Sequence, residues 1–140
     1  MAVSDFDTKT AVVVRSDLAS WQRLNVCAFL ISGVTAAAGR EAIGEDYSDA
    51  DGNRYLLLLV QPILIFEATR EKLKTAHQRA HRREVPIALY TAEMLGTGHD
   101  TANRAAVRAV AAAELDLLGI ALRAPHRDAD AVLRGLRRHP

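Results

Sequence analysis

The segment Gly96–Arg104, GTGHDTANR, gathers Thr97, His99, Asn103 and Arg104 into nine consecutive residues. Two glycines lead into what reads as a helix start, where unpaired backbone N–H groups and the helix dipole attract anions. His99 adds a titratable imidazole within reach of neutral pH, and the other three add directed hydrogen-bonding groups. A capping reading competes with the site reading: Asp100 or Thr101 accepts from the first helical N–H groups, and His99 is a loop residue. Neither the Walker pattern nor the dinucleotide-binding pattern of glycines occurs in the sequence.

Three other groupings offer chemistry. His77 and His81 lie four apart on a helical pattern, but two imidazoles without a neighbouring Glu do not make a zinc site. Asp49, Asp51 and Asn53 have the spacing of part of a calcium loop, yet Val60 stands where the closing Glu belongs, and a hairpin turning at Asp51-Gly52-Asn53 accounts for the segment. Cys27 sits among Val26, Ala28 and Phe29, an apolar setting that suits packing rather than a reactive thiolate. No metal and no cofactor is therefore expected. The segment Arg70–Arg83 carries six Lys/Arg, which reads as a solvated helix face or as a nonspecific RNA contact.

These residues must be positioned by an α/β framework. TAVVVR (10–15), PILIFEA (62–68), VPIALY (85–90) and LLGIALR (117–123) read as strands, the first as a near-continuous apolar run of the kind covered on both faces. Between them lie helical patterns starting after Asp17 or Ser20, at Thr69, and at Asp100. A last amphipathic pattern over 128–138 turns Ala129, Val132, Leu133 and Leu136 inward. In the first helix Leu24, Cys27, Ala28, Ile31 and Val34 share a face, while Val26, Phe29 and Leu30 spread apolar surface to other sides. A helix apolar nearly all round needs a second cover, and a homodimer partner is one candidate. Alternation of strands and helices predicts a three-layer α/β/α domain with a mixed, mostly parallel sheet of four or five strands over residues 1–140.

Composition is consistent with one domain: of 140 residues, 49% are hydrophobic and 25% charged, enough chain to bury a core. A single Cys, a polar start and the lack of a long apolar run predict a cytoplasmic protein without a leader or a membrane span. The net charge of +1 conceals an imbalance. Residues 1–67 carry 5 Lys/Arg against 9 Asp/Glu, and residues 68–140 carry 13 against 8. The halves either attract each other or present a basic face to an anionic partner.

The segments VVVRSDL (12–18), QPILIFEA (61–68) and LLGIALR (117–123) resemble the first, second and late strands of the type 2 peptidyl-tRNA hydrolases. The whole chain is similar to an uncharacterised bacterial offshoot of that fold, a domain of unknown function, through RSDLASWQRLNVCAFLISG (15–33), TGHDTANRAA (97–106) and LRGLRRHP (133–140). The resemblance implies that fold. It also exposes departures. The hydrolases place lysines after Asp-Leu, one after Gln-Pro, and an Asp-Ala-Gly after the third strand. Here ASWQRLN has no lysine, Ile63 follows Gln-Pro, and Thr91-Ala92-Glu93 occupies the third position. Lysines that hold tRNA phosphates and an acid that orients water are not replaced in role by Ile and Thr, so hydrolysis by the family mechanism is not expected.

By analogy with the fold, the loops after the first and third strands meet at the carboxyl ends of the strands, where α/β sheets bind ligands. That assigns Arg15, Trp21, Gln22, Asn25, Thr91, Glu93, Thr97, Asn103 and Arg104 to a ligand site, with Trp21 as a stacking face and His99 as general base. Asp17 or Asp100 would orient it. The expected function is binding of a small ligand or a partner. The alternative is a hydrolase with a reconfigured site, using His99 with Asp17 or Glu93 on an ester or amide, an aminoacyl- or peptidyl-tRNA-like substrate among them.

Overall fold

The structure is a computed structural model that describes residues 6–140; the polar start read over residues 1–5 lies outside the described residues. Strand β1 (Thr8–Arg15) is the centre of the sheet and is buried from Thr10 onward. Its Val12-Val13-Val14 run suits a strand covered on both faces, because β-branched side chains pack well on a pleated surface. Beside it run β4 (Ile63–Ala68), parallel, and β6 (Leu117–Pro125), antiparallel. Strand β5 (Ile87–Thr91) pairs with β6, and the two-residue β7 (Arg137–Arg138) pairs with β4, both antiparallel. The order is β5-β6-β1-β4-β7.

The sheet is mixed, but it is not mostly parallel: β1–β4 is its one parallel pair, and the remaining pairs run antiparallel. The reason lies after β5. Helices α3 (Ala92–Leu95) and α4 (Asp100–Arg108) bury none of their residues, so they do not cross a sheet face. The chain stays at the end where β5 stopped and re-enters there, with Leu117 opposite Thr91. A strand that re-enters from the same end must run back antiparallel. The helix–strand alternation is present; the crossover that would make neighbours parallel is not.

Three layers form as expected. Helix α1 (Ser20–Ala38) covers β5, β6 and β1 on one face. Helices α2 (Arg70–Arg82) and α5 (His126–Leu133) cover the other, where Leu73, Ala76, Ala80, Ala129, Val132 and Leu133 meet Val13, Leu64 and Ile120. The Thr69 side chain caps α2, accepting from the Lys72 N–H at 3.2 Å. Gly39, at φ 71°, ends α1 and donates its N–H to the Thr35 carbonyl.

The face that α1 buries overlaps only in part with the one its sequence suggested: Val34 is buried, and Cys27 and Ile31 pack against the core. Val26, Leu30 and Val34 point inward, whereas Leu24 and Ala28 are exposed. Because apolar residues surround the helix, its own pattern cannot choose a face; the sheet chooses. A Cβ on Gly119 of β6 would stand 2.9 Å from Leu30 Cδ1, Val26 Cγ1 and the Val13 carbonyl oxygen. The missing side chain is the seat in which the Val26–Leu30 row rests. The closing segment also differs from expectation. Helix α5 stops at Leu133, Gly135 turns at φ 83°, and the chain continues as β7 instead of helix to residue 138. Likewise the helix expected from Asp100 ends at Arg108, followed by a 3-10 turn over Ala112–Glu114.

Between α1 and β4 the chain makes an arm. Strands β2 (Tyr47–Ser48) and β3 (Arg54–Tyr55) pair as the expected hairpin, and both are exposed. Asp49 organises its turn: its carboxylate accepts from the N–H groups of Asp51 and Asn53 and from the Tyr55 hydroxyl. Those bonds, Tyr55's foremost, hold the Asp49 carboxyl down at about 2. No helix of the described residues is long and apolar enough to cross a membrane.

Candidate functional site

A groove with a volume of about 830 Å³ lies along the β5 edge, between the solvent side of α1 and the α3–α4 segment. One wall is a single helical row, Trp21, Asn25 and Phe29, spaced four apart, which continues to Ser32 and Gly33. Gly33 lets α1 approach β5 closely, since a Cβ there would stand 3.3 Å from that of Ala88. The floor is Ala88, Leu89 and Tyr90, with Tyr90 tilted against Phe29 at a ring separation of 5.7 Å. The far wall is Met94 and Leu95 of α3, then Thr97–Asp100, then Asn103, Arg104, Val107 and Arg108 of α4.

The GTGHD loop therefore does face the first helix. His99 occupies the cap position of α4 without a side-chain capping bond, and neither Asp100 nor Thr101 takes that role. Asp100 instead pairs with Arg104 at 2.5 Å, an exposed i,i+4 ion pair of small energetic weight. The Thr97 hydroxyl donates to Asn103 Oδ1, so these two hold each other across the mouth of α4. The result is a mostly apolar trough with a polar end, the composition common to small-molecule sites.

Of the residues singled out from the sequence, Trp21, Asn25, Thr97, His99, Asn103 and Arg104 line this groove. Arg15, Asp17, Gln22, Thr91 and Glu93 do not. Gln22 is a helix-start residue whose Oε1 accepts from the Ala19 N–H at 3.0 Å. Thr91 is fully buried, and among the described residues its hydroxyl has no hydrogen-bond partner. Arg15 is a buried brace: its guanidinium donates to Asp17 at 2.6 Å, to Asp116 at 2.8 Å and to the Leu117 carbonyl. Asp17 is thereby held below the ordinary carboxylate range, chiefly by its bond from Arg15. The pairing of His99 with Asp17 is not assembled, because Asp17 serves the brace rather than the groove. Phe29, Tyr90, Met94 and Val107 escaped the sequence reading, although the i, i+4, i+8 row of Trp21, Asn25 and Phe29 was there to find.

The other groupings are placed as follows. His77 and His81 share one shallow surface with Lys74 and Arg82, and burial together with His81 pushes His77 down from the ordinary imidazole value. No cluster of three or more metal-binding side chains occurs among the described residues. Burial raises the Cys27 thiol. On α2, Arg70 pairs with Asp116, Arg83 with Asp128, and Arg79 donates to the Arg134 carbonyl. Much of the basic run is thus spent on fastening α2 to its neighbours.

No curated protein matches the chain. The solved structure of a protein of unknown function from Agrobacterium tumefaciens strain C58 is similar to it, at 44% identity and a TM-score of 0.93, covering 96% of this chain and 99% of that one. The family model described as protein of unknown function, DUF2000, matches residues 8–140, from the first residue of β1 through β7. The chain belongs to the DUF2000 family.

Proposed function

We propose that this protein binds a small amphipathic molecule in the α1–α4 groove. The observation that carries the reading is the exposure of its aromatic wall: Trp21 is 64% and Phe29 54% exposed, on the wall where Asn25 supplies a polar group. Large rings left in water on one wall, opposite His99, Asn103 and Arg104, suit a flat apolar body with a hydrogen-bonding or anionic end. The volume of about 830 Å³ is in the range of such sites. The scaffold reading is of a peptidyl-tRNA hydrolase type 2-like fold without the hydrolase lysines, supported by the resemblance of its strand segments and by the layered sheet.

Trp21 is the only tryptophan, so tryptophan fluorescence originates on the wall of this groove. The flat sulfonated dye 8-anilinonaphthalene-1-sulfonate is a suitable first probe. Saturable energy transfer from Trp21 to the dye is expected, lost in Val107→Asp and retained in Leu56→Asp, whose site is elsewhere. Transfer that fails to saturate, or that survives Val107→Asp, would sink the reading.

A further inference from the structure

The most unusual surface of the molecule is the arm between α1 and β4. Tyr47 on β2 and Tyr55, Leu56, Leu57, Leu58 and Val60 in its second half are all more than a third exposed, Leu56 at 87% and Leu58 at 61%. An isolated two-stranded hairpin is marginal in water, and one that also shows its largest apolar side chains to solvent lacks the packing that keeps hairpins folded. The arm's surface continues into the sheet. Helix α1 lies over β5, β6 and β1, so the same face of β4 has no helix above it, and Ile63 and Ile65 remain partly exposed there. Leu24 of α1, 73% exposed, stands on the side of α1 away from β5.

We infer that this surface is the interface of a homodimer in which the arm of each chain seats on the open β4 face of the other. Three features select a second copy over other occupants. A projecting apolar arm and an uncovered apolar strip occur on one chain, so a twofold operator satisfies both at once. The charges are compatible: the arm carries Glu45, Asp46, Asp49 and Asp51 against Arg54, whereas the open β4 face is edged by Arg137, which pairs with Glu67 of its own chain and still remains 82% exposed. The area is adequate. Eight exposed side chains, Tyr47, Tyr55, Leu56 to Leu58, Val60, Ile63 and Ile65, offer on the order of 500 Å² of apolar surface. That is about the apolar share of the roughly 800 Å² that each partner contributes to a standard interface. The surplus apolar surface of α1 then borders the interface through Leu24 rather than forming it.

Sedimentation equilibrium of the full chain between 1 and 100 µM tests this. A mass of twice 15.3 kDa is expected for the wild type. Leu56→Asp with Leu58→Asp should raise the dimer Kd by roughly 100-fold or more, given two buried leucines per arm, with the circular dichroism spectrum unchanged because both side chains are exposed in the monomer. Arg137→Glu should weaken association and reduce its salt dependence. A monomer throughout the range would overturn the inference, as would a dimer indifferent to the Leu56/Leu58 pair. A monomer that instead sediments with phosphatidylcholine vesicles through the arm would overturn it in favour of a lipid surface.

Discussion

Adding one methyl group at Gly119 should damage both the fold and the groove, although Gly119 touches no ligand. An ideal Cβ there lies 2.9 Å from Leu30 Cδ1, Val26 Cγ1 and the Val13 carbonyl oxygen, about 0.6–1.1 Å inside ordinary contact distance. Val26 and Leu30 are almost completely buried. The third neighbour is backbone of the central strand and cannot rotate away. Overpacking of a tight core costs about 1–3 kcal/mol, and the rigid third contact puts Gly119→Ala at the upper end. For a domain of 140 residues that corresponds to a fall in Tm of roughly 10 °C.

Urea denaturation followed by far-ultraviolet circular dichroism is the assay, with an unchanged m-value showing that stability alone has moved. The surviving folded fraction should also bind the dye less well, because Trp21, Asn25 and Phe29 ride on the helix that the new methyl lifts. Gly33→Ala is the control. Its Cβ would meet only Ala88 Cβ, at 3.3 Å, and its position is helical. The gain of up to about 1 kcal/mol in helix propensity then offsets a mild squeeze, and stability should change little. If Gly119→Ala unfolds within about 0.5 kcal/mol of the wild type, below the range of overpacking costs, the close seating of α1 is wrong.

Two further outcomes can be checked independently. Thr69→Ala removes the one side-chain cap of α2 and should cost about 1 kcal/mol in the same denaturation assay, whereas Thr69→Asn should cost little. Asp17 should titrate below the ordinary aspartate value in carboxyl-carbon NMR, and Arg15→Met should return it towards that value. Because the folded value is the lower one, the Arg15–Asp17 contribution to stability is present above the ordinary aspartate pKa and is lost as pH falls through the folded value. Its size is small, since the Asp17 side chain is 65% exposed. An Asp17 that titrates normally would mean that the brace does not form in solution.

Where local signals were strong, the sequence located the elements. The β-branched run gave β1, Thr69 and the Leu73-Ala76-Ala80 stripe gave α2 and its buried face, and Asp51-Gly52-Asn53 gave the hairpin turn. What failed was information that no single segment carries. A helical pattern between two strands says nothing about whether the helix crosses a face or stays at one end. Helices α3 and α4 stay, and the sheet turned from mostly parallel to mostly antiparallel. The inward face of α1 is written in Gly119, about ninety residues away, and becomes readable only when β6 lies beneath it.

The site divides along the same line. Trp21, Asn25 and the Thr97–Arg104 loop were legible because their residue types are odd for the places they occupy, a ring and amides on a helix start and a His at a helix cap. Arg15 and Asp17, equally conspicuous by type, proved to be bracing. The difference is burial: a guanidinium closed in beside two carboxylates has its Nε and Nη1 donors committed to them and to the Leu117 carbonyl, whereas the groove-lining groups face an open trough. The same criterion picks out the arm. Its leucines lie in a segment that the sequence marks only as an apolar stretch, and it takes the structure to show that they stay exposed among the described residues. Unspent polar capacity marks the α1–α4 groove, and unspent apolar area marks the arm and the β4 face. The two proposals, a ligand in the groove and a second copy on the arm, fall on opposite sides of α1, and Val107→Asp and Leu56→Asp should separate them.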